Sequence, residues 1–253
     1  MNQCLELKNI ALTYHTIQAE THALKNISFC VEDGEFVAIV GPSGCGKSTI
    51  LSLIAGLLTP SSGEIINHFS SDKYAIGYMF QKDNLFEWRS IWGNVILGLE
   101  INKKLNDESK KYAEELLKKY GLWDFKDHYP NQLSGGMRQR AALIRTLALN
   151  PDILLLDESF SALDYQTRLR VCDDVYSIIK KEHKTAILVT HDISEAISLA
   201  DRVIVLTQRP ASVKQIFNIN IDKLKTPFKR REDKNFAGLF NTIWKELQTD
   251  EKT

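Results

Sequence analysis

The sequence predicts an α/β protein built on a mostly parallel sheet, and three observations carry that reading. Short β-branched runs recur at Phe36 to Val40, Ile153 to Leu156, Ala186 to Thr190 and Val203 to Leu206. Each is too short for a helix and lacks strict alternation, the pattern of strands covered on both faces. Helical periods lie between them. Lys47 to Leu58 is helical until Thr59-Pro60 stops it, and Leu169, Cys172, Val175, Tyr176 and Ile179 share one helix face. A glycine-rich turn, Gly41 to Ser48, joins the strand Phe36 to Val40 to the helix that starts at Lys47.

The 253 residues suffice for one large domain, or for one domain with an inserted subdomain. From about Asp83 to Leu149 the strand signal nearly vanishes. Glu108 to Tyr120 reads as a charged amphipathic helix with Ala113, Leu116, Leu117 and Tyr120 on one face, and Gly121 is placed to cap its end. A helical insert, 83–149, thus divides an α/β core of 1–82 and 150–210 within one domain, 1–253. The segment 211–253 is expected to be a tail, with Phe236, Leu239, Phe240, Ile243, Trp244 and Leu247 on one face of a final helix. Lys229-Arg230-Arg231 is a small basic run, read as a solvated face or one set near lipid head groups.

Composition excludes several classes. Lys plus Arg and Asp plus Glu both number 32, a balance that argues against a nucleic-acid partner. The four cysteines form no C-x-x-C pair, so buried reduced thiols in a reducing cytosol are expected rather than zinc or disulfides. No signal peptide opens the chain and no apolar run reaches membrane length, so a membrane role must pass through a partner.

The chemistry concentrates in a few places. Gly41-Pro42-Ser43-Gly44-Cys45-Gly46-Lys47-Ser48 fits G-x-x-x-x-G-K-[ST], with Thr49 following. Glycines let the backbone curl so that successive N–H groups face phosphate oxygens, and the helix N-terminus adds its positive end. Lys47 supplies a point charge for the β- and γ-phosphates of ATP, and the Ser48 hydroxyl suits Mg²⁺. Ile153 to Leu156 runs into Asp157-Glu158. At a strand's carboxyl end Asp157 can reach a Mg²⁺ held by Ser48, and Glu158 can face a water in line with the γ-phosphate. A general base of this kind is worth about 10²- to 10⁴-fold in rate. His191 follows the strand Ala186 to Thr190 and could bind the γ-phosphate and hold that water. Gln81 ends another strand, Ala75 to Phe80, where a neutral amide can touch metal and water.

These residues, together with Leu133-Ser134-Gly135-Gly136-Met137 and Arg138-Gln139-Arg140, resemble the ATP-binding subunits of ABC transporters. Ser161-Ala162-Leu163-Asp164 completes the motif set, which spans roughly residues 5–210 in the family's order. Ser134 and two glycines before a helix, Met137 to Leu149, also make a second anion site on elementary grounds. The resemblance implies a P-loop NTPase (RecA-like) core with an N-terminal antiparallel β element and an inserted helical signature subdomain. It implies a homodimer in which each ATP lies between one P-loop and the other copy's Ser134, Gly135, Gly136 and Gln139. In that picture Asp164 is a dimer contact, Tyr14 stacks on adenine, and Gln81 joins Ser48 and Asp157 on the metal.

The same resemblance implies transmembrane permease subunits, a periplasmic or lipid-anchored substrate-binding protein acting indirectly, and a peripheral place on the inner face of the cell membrane. Phe86, Trp88 and Trp92 then become either core of the helical subdomain or anchors for the permease. Trp88-Arg89-Ser90, Thr207-Gln208-Arg209-Pro210 and the short Trp244 tail resemble importer ATPases for nitrate, sulfonate and taurine; relatives so spelled also serve vitamin precursors. Ser159 and Glu87 stand where proline is common, and Asn67 to Lys73 is unusual. A non-hydrolysing nucleotide gate would not need Glu158 and His191, and DNA-repair or translation relatives need coiled-coil insertions or two ATPase units.

Overall fold

A computed structural model describes residues 3–15, 19–68, 76–161, 163–222 and 224–248. Ala75, Ala162, most of the stretch from Asn67 to Lys73 and the end of the tail lie outside the described residues. The chain opens with strands β1 (Gln3–His15), β2 (Glu20–Glu32) and β3 (Phe36–Val40), then helix α1 (Lys47–Ile54) and strands β4 (Ser62–Asn67) and β5 (Ile76–Met79). Helices α2 (Ile91–Ile101), α3 (Asp107–Lys119) and α4 (Gly135–Leu147) follow, with short 3-10 turns at Trp123–Phe125 and Pro130–Gln132. The rest alternates: β6 (Ile153–Asp157), α5 (Tyr165–Lys181), β7 (Thr185–Val189), α6 (Ile193–Leu199), β8 (Arg202–Leu206), β9 (Val213–Asn218), α7 (Pro227–Arg230) and α8 (Phe236–Gln248).

The central sheet has the order β5-β6-β7-β3-β8-β9, parallel except for β9, which runs antiparallel to β8. Its strands are apolar throughout because both faces are covered. Phe36, Ala38 and Val40 pack into one core with α2, α4, α5 and α6, while Val37 and Ile39 pack into a second core with α1 and the N-terminal strands. Leu154 and Leu156 take the first side and Ile153 and Leu155 the second, the period-two consequence of strand geometry. The second core is closed by an antiparallel sheet, β2-β1-β4, to which Leu5, Leu7, Ile10 and Leu12 contribute.

Three sequence expectations need correction. The first helix stops at Ile54 rather than Leu58, because Gly56 takes φ +70 and turns the chain before Thr59-Pro60 is reached. Residues 213–218 are strand β9 of the central sheet, not tail; their polar spelling hid an edge strand. Arg230 is fully buried, its Nη2 donating to the Ala200 carbonyl at 2.8 Å, so it leaves the solvated face expected of the basic run, while Lys229 stays exposed and Arg231 half-buried. The final helix buries Ile243 and keeps Phe236, Leu239, Phe240 and Leu247 against the core, with Trp244 half exposed.

Buried Asn94 on α2 organises the loop after β5. Its Oδ1 accepts from the Phe86 amide at 2.7 Å, and its Nδ2 donates to the carbonyls of Phe86, Arg89 and Ser90 at 3.0–3.1 Å. Arg145 on α4 adds bonds to the Asp83 and Asn84 carbonyls at 2.7 and 2.6 Å. Asn94→Ala strands these groups and is expected to cost about 2 kcal/mol, read as a lower urea midpoint with an unchanged m-value.

Candidate active site

The parallel order of β6, β7 and β3 brings three segments to one sheet edge: the turn after β3, Asp157-Glu158 after β6, and His191 after β7. A cavity of about 600 Å³ there is lined by Ser43, Gly44, Gly46, Lys47, Ser48, Thr49, Glu158 and His191.

The turn is shaped by positions that reject side chains. Gly44 and Gly46 take φ +71 and +119, and a Cβ on Gly46 would lie 2.8 Å from Leu24 Cδ2. A Cβ on Gly41 would lie 2.9 Å from Cys45 Sγ. Lys47, mostly buried, donates from Nζ to the carbonyls of Gly41 at 2.9 Å and Pro42 at 3.0 Å, so its charge spans the mouth of the turn. Cys45 is buried behind the turn, and burial pushes its thiol up despite Lys47, so it is no nucleophile. All four cysteines are free.

Ser48 Oγ donates to Asp157 Oδ1 at 2.8 Å, and Tyr78 OH donates to the other carboxylate oxygen at 3.0 Å. Burial, reinforced by the Asp157 charge, raises the Tyr78 phenol well above its ordinary value, so it stays a donor. The adjoining hydroxyl and carboxylate are hard oxygen donors suited to Mg²⁺. Among the described residues no group of three or more His, Cys, Asp or Glu could hold a metal.

Glu158 sits at φ 45, a left-handed conformation costly for a carboxylate side chain and held by bonds from its own amide to Val189 O and from Ser161 N to its carbonyl. Its Oε2 is 3.4 Å from His191 Nδ1, and the His191 ring is 59% exposed toward the cavity. Nothing in the residues around Glu158 signalled this backbone strain.

Other expected site residues are placed differently. Gln81 does not join Ser48 and Asp157: its amide donates to Ser161 Oγ at 3.1 Å, and it lines a second cavity with Asp83, Gly135, Arg138, Gln139 and Leu163. The metal-ligand expectation for Gln81 therefore lacks support in this geometry. Gln139 is nearly fully buried in that second cavity rather than on the exposed lip formed by Ser134. Ser134 caps α4, accepting from Met137 N at 3.3 Å, so the helix starts at Gly135, two residues before the expected Met137. Gly136 approaches Val171 and Thr167 of α5 closely enough that a Cβ would sit 3.1 Å from Val171 Cγ2. Tyr14 OH lies 3.3 Å from Thr49 Oγ1, which puts its ring beside the turn. Asp164 is exposed and caps α5, and its bonds from the Thr167 side chain and amide hold its carboxyl below the ordinary value. Ser159 is buried and donates to the Met79 carbonyl at 3.2 Å, which ties the turn after β6 to the end of β5.

The family model for the ABC transporter matches residues 24–161, more than half of the chain. The chain belongs to the ABC transporter family. It is 48% identical to the uncharacterized ABC transporter ATP-binding protein YtlC of Bacillus subtilis (strain 168), over 98% of this chain and 97% of that one. It is 40% identical to the nitrate import ATP-binding protein NrtD of Synechocystis sp., over 86% and 83%. Among solved structures it resembles the dimeric post-hydrolysis state of the ATP-binding cassette MJ0796 bound to ADP and Pi, with a TM-score of 0.70, 36% identity, and 85% and 99% coverage. The chain is thus an ABC ATPase, and the cavity at the sheet edge is its candidate site. Arg138 and Arg145 hold the loop after Gln81 from α4; Arg145 lies outside the motifs, and its partners, the Asp83 and Asn84 carbonyls, are distant in sequence.

Gly46→Ala combines strain at φ +119 with a clash against Leu24, and is expected to weaken binding of a fluorescent ATP analogue at least about tenfold.

Proposed function

We propose that this ATPase energises an ABC importer for a small organic ion of the nitrate, sulfonate or taurine kind, working through a separate permease. The observation that carries the catalytic reading is the single cavity shared by Lys47, Ser48, Glu158 and His191. ATP would lie with its β- and γ-phosphates on the turn amides and Lys47, and with adenine toward Tyr14. Mg²⁺ would be held by Ser48 and Asp157, and when bound it neutralises phosphate charge.

Glu158 takes a proton from water as that oxygen bonds to the γ-phosphorus and the bond to ADP breaks, releasing phosphate. His191, 3.4 Å from Glu158, orients the same water and the γ-phosphate. Gln81 acts as a sensor in the loop between this cavity and the second one. A second copy would supply Ser134, Gly135 and Gly136 to the γ-phosphate, with Gln139 supporting them from beneath and Asp164 at the dimer seam.

Residues 83–149 would be the helical signature subdomain, and 1–82 with 150–210 the nucleotide-binding core, to which β9 adds an edge. Trp88, 75% exposed, stacks near Phe86 with centroids 4.7 Å apart, whereas Trp92 packs inward against Trp123. This favours Phe86 and Trp88 as the permease anchors. No described helix is long and apolar enough to cross a membrane; bound to the permease, the chain would take a peripheral position at the inner face. The importer's substrate-binding protein would act on the permease, not on this chain. The same ATPase role in a vitamin-precursor importer remains the alternative, separated by which solute a permease reconstituted with this chain takes up.

Glu158→Gln is expected to lower ATP turnover at least about 10²-fold while the ATP Kd stays within about twofold, since the turn and Lys47 are untouched. Steady-state hydrolysis and nucleotide titration measure the two, and unchanged turnover would remove Glu158 from the base role. Trp88→Ala should weaken co-purification with the permease at least about tenfold.

A further inference from the structure

The segment carrying Asp164 and the segment carrying His191 follow different strands, yet one side chain touches both. Arg168 in the first turns of α5 directs its guanidinium back past the helix start. Its Nη2 donates to the Leu163 carbonyl at 2.9 Å and, more loosely, to the Ser161 carbonyl at 3.5 Å. Its Nη1 lies 3.6 Å from Asp192 Oδ2. Asp192 follows His191 directly and caps α6, its Oδ1 accepting from Glu195 N at 3.1 Å.

Ser161 stands at the other end of the fork. It accepts from the Gln81 amide at 3.1 Å and donates to the Glu158 carbonyl at 2.9 Å. Thus the two loops that Arg168 joins flank the Glu158–His191 pair. The planar, rigid fork suits this task, since a single ammonium could not hold a carbonyl on one loop and a carboxylate on another at fixed separation. The guanidinium is also kept at a cost: Arg168 Nε is buried without a hydrogen-bond partner.

We infer that Arg168 is a positioning residue for hydrolysis, fixing the His191 loop against the Asp164 loop so that a second copy docking on Asp164 sets the place of the imidazole. This rests on the reading of His191 and Asp164 given above. Among the described residues the polar contacts of Arg168, to Ser161, Leu163 and Asp192, include none that line the phosphate cavity, so its loss is expected to act on turnover and not on nucleotide affinity.

The test uses the full chain with Arg168→Gln and, from the other side, Asp192→Asn, which keeps the α6 cap because asparagine caps as well as aspartate. Each variant is expected to lower kcat about tenfold with KM for ATP within about twofold, a misplaced group rather than lost binding. Each should also shift the His191 imidazole NMR signals, assigned by their loss in His191→Ala, while the other histidine signals stay. Both variants with kcat within about twofold of the parent, or with unmoved His191 signals, overturn the inference. Should Arg168→Gln fail to fold by its thermal transition, Asp192→Asn decides alone. His191→Ala in the same assay separates the layers: full turnover there sinks the His191 reading itself, whereas an inactive His191→Ala beside unaffected Arg168 and Asp192 variants sinks only the positioning role.

Discussion

The parallel register of β6, β7 and β3 is the constraint on which the site depends. Phe36 pairs with Ala186, and Leu154 does the same on the next strand, so the three strands run in phase and end together. Both faces of these strands are buried, and a slip of one residue would send every side chain into the wrong core. Because that slip is so costly, the loops leaving the strands have fixed origins. Ser48, Glu158 and His191, far apart in the chain, therefore share one cavity.

On this frame the loops carry the polar chemistry, and each is tied by contacts that a sheet alone would not provide. Asp157 is held between Ser48 and Tyr78, one from α1 and one from β5. Glu158 is kept in a left-handed conformation by bonds to β7 and to its own turn. The loop after Gln81 is fastened by Arg138 and Arg145 of α4, and Ser159 holds the end of β5 that leads into it. These contacts join the helical stretch between β5 and β6 to the loop that follows β5.

Much of this was legible in the residues. The four apolar runs became β3, β6, β7 and β8 within a residue of their expected ends, because strands buried on both faces leave no other pattern. The phosphate turn was legible because its glycines are demanded by local backbone geometry. The edge strand β9, the early stop at Gly56 and the burial of Arg230 were not: polar spelling hid β9, the turn at Gly56 comes before the more visible Thr59-Pro60, and Arg230 depends on the Ala200 carbonyl, distant in sequence. Gln81 shows the same limit within the site: its residue type pointed to metal and water, and only the structure shows its bond to Ser161, on another strand's loop.

The sequence by itself determined the α/β class, the phosphate-binding turn and the order of the motifs, all of which follow from short-range periodicity and from backbone conformations open only to glycine. Tertiary structure alone decided which motifs meet. The Ser48–Asp157 bond, the Glu158–His191 approach and the Arg168 fork each join residues that are neighbours only once parallel strands have stacked in register, and no local pattern encodes that pairing.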